Sequence, residues 1–96
     1  MANATKEDME LELLFNKQFL AYRAKYYKPE DSEEYWKGVL EDGEALGRKY
    51  NNLYFNNLII CCVDEWERQF RLAHGQETKF GTLEALYERL RKKRDE

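Results

Sequence analysis

The residues able to do chemistry are few, and their spacing sets them to little. The chain holds one histidine, His74, and two cysteines, Cys61 and Cys62, which are neighbours. Adjacent cysteines cannot form the Cys-x-x-Cys unit of a redox or zinc pair, nor staple distant parts of a chain. They read as two small apolar residues in a reducing compartment. His74 has no cysteine or second histidine at a metal-ligand spacing, and its place at a helix C-terminus suits a cation facing the helix dipole. There is no phosphate loop, no His-Glu-x-x-His and no calcium-binding loop. The nineteen carboxylates fall on solvent-type positions. The expectation is a chain with no catalytic residue, no cofactor and no metal.

Charge is segregated along the chain. Glu30, Asp31, Glu33, Glu34, Glu41, Asp42 and Glu44 stand against Lys37 alone. The tail Arg89-Leu90-Arg91-Lys92-Lys93-Arg94 carries five bases in six residues. Such runs are ordinarily solvated helix faces, and a basic last turn suits the dipole. Arg89, Arg91, Lys92, Lys93 and Arg94 are also the candidates for contact with phosphate or with an acidic partner. A net charge of -3 argues against nucleic acid as the main partner.

These residues must be positioned by helices. The stretch Leu53 to Ala73 organises the chain. On a wheel of about 100° per residue, Phe55, Ile59, Cys62, Val63, Trp66, Phe70 and Ala73 fall within about 60° of Ile59. Tyr54, Leu58, Ile60 and Cys61 extend the apolar surface around the first half, which predicts that this half is enclosed. The rival is a hairpin of Tyr50–Phe55 and Leu58–Val63 turning at Asn56-Asn57. It lacks a third strand to support it.

The other elements follow from their punctuation. A first helix over 6–28 starts at Thr5 or Asn3 and stops before Pro29. Ser32 caps a second, 33–50, carrying Tyr35, Trp36, Val39, Leu40, Leu46 and Tyr50 on the face that holds Gly43 and Gly47. A turn at Asp42-Gly43 would split it; one helix is preferred. Asn51-Asn52 ends it and starts 53–74, unless 33–73 is one long helix. Gly75 closes the central helix. Thr82 caps a last helix, 82–94, which is expected to bury Leu83, Leu86, Tyr87 and Leu90, with Phe80 of the preceding loop anchored on the core.

The fold expected is therefore all-α: one small antiparallel bundle of three long helices, packed up-down-up, with a short C-terminal helix laid across one end or groove. Ninety-six residues suit a single domain. No apolar run reaches membrane-spanning length, and the start lacks a secretory pattern, so a cytoplasmic protein is expected.

The first helix has two apolar stripes. Leu11, Phe15, Phe19, Tyr22 and Tyr26 form the one expected to face the core. Met9, Leu13, Leu20, Ala24 and Tyr27 gather about 120–180° away. This second stripe is either sandwiched within the same bundle or an interaction surface, and the expected use is a homodimer. The expected function is a non-enzymatic helical interaction module or small accessory regulator; the alternative is a nucleic-acid-associated regulator using the basic tail. In general character the chain is similar to many small accessory proteins of bacterial chromosomes, phages and mobile elements. That similarity rests on no motif and transfers no residue role.

Overall fold

The computed structural model describes residues 2–75 and 83–95, with side chains for 2–75 and 87–95. It contains four helices and, among the described residues, no strand: α1 (Lys6–Lys25), α2 (Glu33–Tyr50), α3 (Leu53–Ala73) and α4 (Leu83–Asp95). The hairpin rival is thereby excluded. The order is up-down-up for α1 to α3: Phe15 meets Tyr50 and Phe55, while Tyr22 meets Gly43 and Trp66.

The boundaries come from local chemistry. Thr5 caps α1 with a reciprocal box: the Asp8 N–H donates to Thr5 Oγ1 (3.1 Å) and the Thr5 N–H donates to Asp8 Oδ2 (2.9 Å). Ser32 Oγ accepts from the Tyr35 N–H and Asn52 Oδ1 from the Phe55 N–H, each at 3.1 Å. Asn51 adopts the left-handed conformation (φ 47) that asparagine tolerates. The Asn51-Asn52 pair thus ends α2 and begins α3, and the single long helix is excluded. Gly75 follows α3 with φ 69, a conformation that costs glycine nothing.

Helix α1 stops at Lys25, three residues short of the expected Lys28. Pro29 disfavours helix only at the residue before it. The earlier stop comes from tertiary structure: the Tyr35 hydroxyl donates to the Tyr26 carbonyl at 2.8 Å, capping the helix end from α2.

The core is aromatic. Phe15, Tyr22, Tyr26, Tyr35, Val39, Phe55, Ile59 and Trp66 are buried, with Phe19, Trp36, Leu46, Tyr50, Leu58, Cys62 and Val63 packed around them. Phe15 stacks on Phe55 with ring centroids 4.0 Å apart. Leu11, Leu40 and Ala73, expected on inward faces, are exposed. The glycines of α2 do bring helices close. A Cβ on Gly43 would lie 2.8 Å from Tyr22 Oη and 3.4 Å from Ile59 Cγ2. Tyr22 Oη is itself fixed by donating to the Val39 carbonyl at 2.7 Å. Gly43→Ala should therefore destabilise by about 1–2 kcal/mol, because displacing that hydroxyl outweighs the roughly 1 kcal/mol gained in helix propensity. A urea melt in which the variant is more stable than wild type would contradict this packing.

Two expectations fail. The first half of α3 is not enclosed: Leu53 is 78% and Ile60 56% exposed, and Tyr54 and Cys61 are exposed as well. Three helices supply α3 with two neighbours, which cover one face and no more. Nor is α4 laid across the bundle. Among the described residues it packs against none of the other three helices, and Tyr87 and Leu90, expected to be buried, are 54% and 55% exposed. The side chains of Leu83 and Leu86, the Thr82 cap and the Phe80 anchor lie outside the described residues.

Candidate interaction surface

The expected stripe of α1 is open. Leu13 is 68%, Leu20 64% and Tyr27 63% exposed, and Met9 and Ala24 are exposed beside them. No helix among the described residues covers these side chains. The cause lies in the wheel: with Phe15 and Tyr22 turned to the core, residues about 120–180° away must face outward.

Neighbouring α3 enlarges the surface. Arg23 of α1 lies beside Cys62 of α3, which places both on the flank where α1 and α3 meet. Burial pushes the Cys62 thiol above its ordinary value, and Arg23 offsets part of the effect. Along α1, Met9, Leu13 and Leu20 turn to the same side as Arg23; along α3, Tyr54, Leu58 and Cys61 turn to the same side as Cys62. At the lower end, Met9, Leu11 and Leu13 line a cavity of about 560 Å³ together with Asn52 and Phe55. The flank therefore joins the α1 stripe to the exposed part of α3. Sequence reasoning found the α1 half and missed the α3 half, because it treated the apolar surface of α3 as interior.

The opposite flank carries a groove between α2 and α3. Its lower part, about 600 Å³, is lined by Leu40, Gly43, Gly47, Ile60 and Val63, with Glu44, Arg48 and Asp64 at its rim. An adjoining part of about 390 Å³ shares Leu40 and Val63 and adds Trp36, Phe70, Glu67 and Arg71. Arg48 pairs with Glu44 at 2.7 Å and Arg71 with Glu67 at 2.6 Å.

Lys25, Tyr26 and Asp42 form a polar cluster between α1 and α2. Tyr26 Oη donates to Asp42 Oδ2, which also accepts from Lys25 Nζ at 2.9 Å. These bonds, that from Tyr26 first, hold the Asp42 carboxyl below its ordinary value. The cluster ties α1 to α2, and nothing in the spacing of Lys25, Tyr26 and Asp42 announced it. Tyr50 Oη is buried without a hydrogen-bond partner among the described residues.

The remaining chemistry-bearing residues stay apart. His74 Nδ1 lies 2.8 Å from the Phe70 carbonyl, and its Nε2 lies 3.6 Å from Asp31. Cys61 and Cys62 are free thiols. Among the described residues, no three His, Cys, Asp or Glu side chains gather where they could hold a metal ion, and no helix is long and apolar enough to cross a membrane. Arg89, Arg91, Lys92, Lys93 and Arg94 are exposed on α4, with Arg94 3.8 Å from Asp95.

The chain matches no protein-family model, and neither a curated protein nor a solved structure shows significant similarity to it.

Proposed function

We propose that this protein is a non-enzymatic helical interaction module that pairs with a second copy of itself through the α1/α3 flank. The observation that supports the reading is the uncovered stripe Met9, Leu13, Leu20, Ala24 and Tyr27, continued by Tyr54 and Cys61 of α3. An apolar surface of several hundred Å² is near the limit for a monomer in water. A two-fold axis through it lets one patch cover its own copy. A reducing, cytoplasmic setting fits the two free thiols.

Sedimentation velocity tests it. Wild type should run as a dimer and Leu13→Glu with Leu20→Glu as a folded monomer. The charges replace side chains that project into solvent, so the fold should survive. Wild type running as a monomer at every concentration would end the proposal.

The rival is a nucleic-acid-associated regulator using Arg91, Lys92, Lys93 and Arg94, favoured by the exposure of all four on α4. Binding to DNA or RNA that weakens steeply with salt and vanishes on alanine substitution of these four would decide for it.

A further inference from the structure

The exposed stripe of α1 matches its own reverse, and so do the charges beside it. We propose that two copies pair with their α1 helices antiparallel, about a two-fold axis that crosses α1 between Asn16 and Lys17. This inference rests on the self-association proposed above and adds the orientation and register of the contact.

Apolar spacing gives the register. Met9 and Ala24 lie 7.5 residues to either side of that point, and Leu13 and Leu20 lie 3.5 to either side. Reversing the second helix therefore sets Met9 against the partner copy's Ala24, a long side chain against a small one, and Leu13 against its Leu20. All four are exposed. Asn16 stands beside the axis, about 60° from Leu13 on the wheel, where its amide meets that of the other copy. A polar pair at such a position fixes register between helices. Lys17 flanks the axis on the other side, and its long stem lets the ammonium turn to water. Tyr54 and Cys61, the exposed α3 residues of the flank, stand below and above the same level, since Phe15 stacks on Phe55 and Arg23 lies beside Cys62.

Charge fixes the direction. From Lys6 to Glu12, α1 holds four acids against one base; from Leu13 to Lys25 it holds three bases and no acid. The helix dipole accounts for Glu7 and Asp8 in the first turn and for Arg23 and Lys25 in the last. It does not account for Glu10, Glu12 and Lys17 between them. Antiparallel pairing lays the acidic half of each helix along the basic half of the other, whereas parallel pairing of α1 with α1 would set like charge on like. Glu12 and Arg23 carry the match. They lie within about 20° of each other on the wheel, on the α3 side of the stripe. Neither makes an ion pair among the described residues. Across the axis, Arg23 of one copy falls two residues, about 3 Å, along the helix from the level of Glu12 of the other. Within one chain they are eleven residues apart, about 16 Å, and cannot meet.

Sedimentation equilibrium of the full chain at low salt tests this with a charge swap. Glu12→Arg and Arg23→Glu should each weaken the dimer by about tenfold, because each turns two symmetric attractions into repulsions. The double variant should return to within about threefold of wild type, since the swapped pair meets only between copies. Neither residue is buried, so circular dichroism should show unchanged helix in all three. A second measurement does not depend on these charges. Protein carrying p-benzoylphenylalanine in place of Leu13, irradiated in an equal mixture with 15N-labelled wild type, should give mixed-isotope cross-links to the segment around Leu20. Wild type that stays monomeric at every concentration would remove the self-association, and this inference with it. A dimer whose double variant is as weak as the single ones, or whose position 13 cross-links to α3 of the other copy, would leave self-association standing and overturn the antiparallel pairing.

Discussion

Phe15→Ala should lower the unfolding free energy by about 3–5 kcal/mol. Phe15 is fully buried and is the hub of the lower core, with ring centroids 5.3 Å from Phe19, 5.4 Å from Tyr50 and 4.0 Å from Phe55. Truncation leaves a cavity bounded by three rings from three helices. Rings are rigid, so the walls cannot close in as flexible aliphatic side chains would. A domain of this size has a total stability of roughly 5–10 kcal/mol, so much of it would be lost. Trp66→Ala belongs to the same range: Trp66 is buried in the upper core, 5.4 Å from the ring of Tyr22. Leu13→Ala, two positions from Phe15 on the same helix, should change stability by less than about 0.5 kcal/mol, because Leu13 points to water. The comparison is made in urea with the m-value held constant. A loss under 1 kcal/mol for Phe15→Ala, or a loss for Leu13→Ala equal to it, would mean that the two stripes of α1 are exchanged.

That pair of substitutions also marks what the sequence makes legible. Helix ends set by local chemistry can be read directly: Thr5 with Asp8, Ser32, Asn51-Asn52 and Gly75 act through backbone groups a few residues away. The inward stripe of α1 can be read too, because periodicity fixes which residues share a face. Periodicity does not say how many neighbours a helix has. The first half of α3 is apolar all round, which predicts enclosure, yet Leu53, Tyr54, Ile60 and Cys61 are exposed because, among the described residues, only α1 and α2 pack on it. The same gap hid half of the α1/α3 flank. Interactions made across the fold were invisible for another reason. The Tyr35 hydroxyl that ends α1 and the Asp42 carboxylate that receives Tyr26 and Lys25 are each nine to seventeen residues from their partners. No local pattern encodes such a meeting.

The buried phenols should make the fold sensitive to alkali, with cooperative loss of helix beginning above pH 10. Tyr35 is pushed up from 10.0 to about 12, first by burial and then by negative charge at Cys62 and Glu30. Tyr22 and Tyr26 are raised as well, burial again the largest cause. Each hydroxyl donates within the fold, Tyr22 to the Val39 carbonyl, Tyr35 to the Tyr26 carbonyl and Tyr26 to the Asp42 carboxylate. Ionisation would destroy that donor and place an anion against an acceptor oxygen. The folded chain therefore holds these protons at pH values where the unfolded chain, titrating near 10, has released them. Their contribution is complete below pH 10 and is lost as pH rises from 10 toward the folded values. For Tyr35 alone, the rise from 10.0 to about 12 corresponds to roughly 2 kcal/mol of stability removed by pH 12. Tyr22 adds to it, and the sum is comparable with the stability of a domain this size. Circular dichroism and tyrosinate absorbance followed together between pH 9 and 12.5 should show helix loss and a late step of phenol ionisation at one midpoint. Tyr35→Phe should be less stable at pH 7, having lost its bond to Tyr26, yet show a shallower fall of stability above pH 10. Helix that persists unchanged through pH 12 while every tyrosine ionises would show that these phenols reach solvent without unfolding.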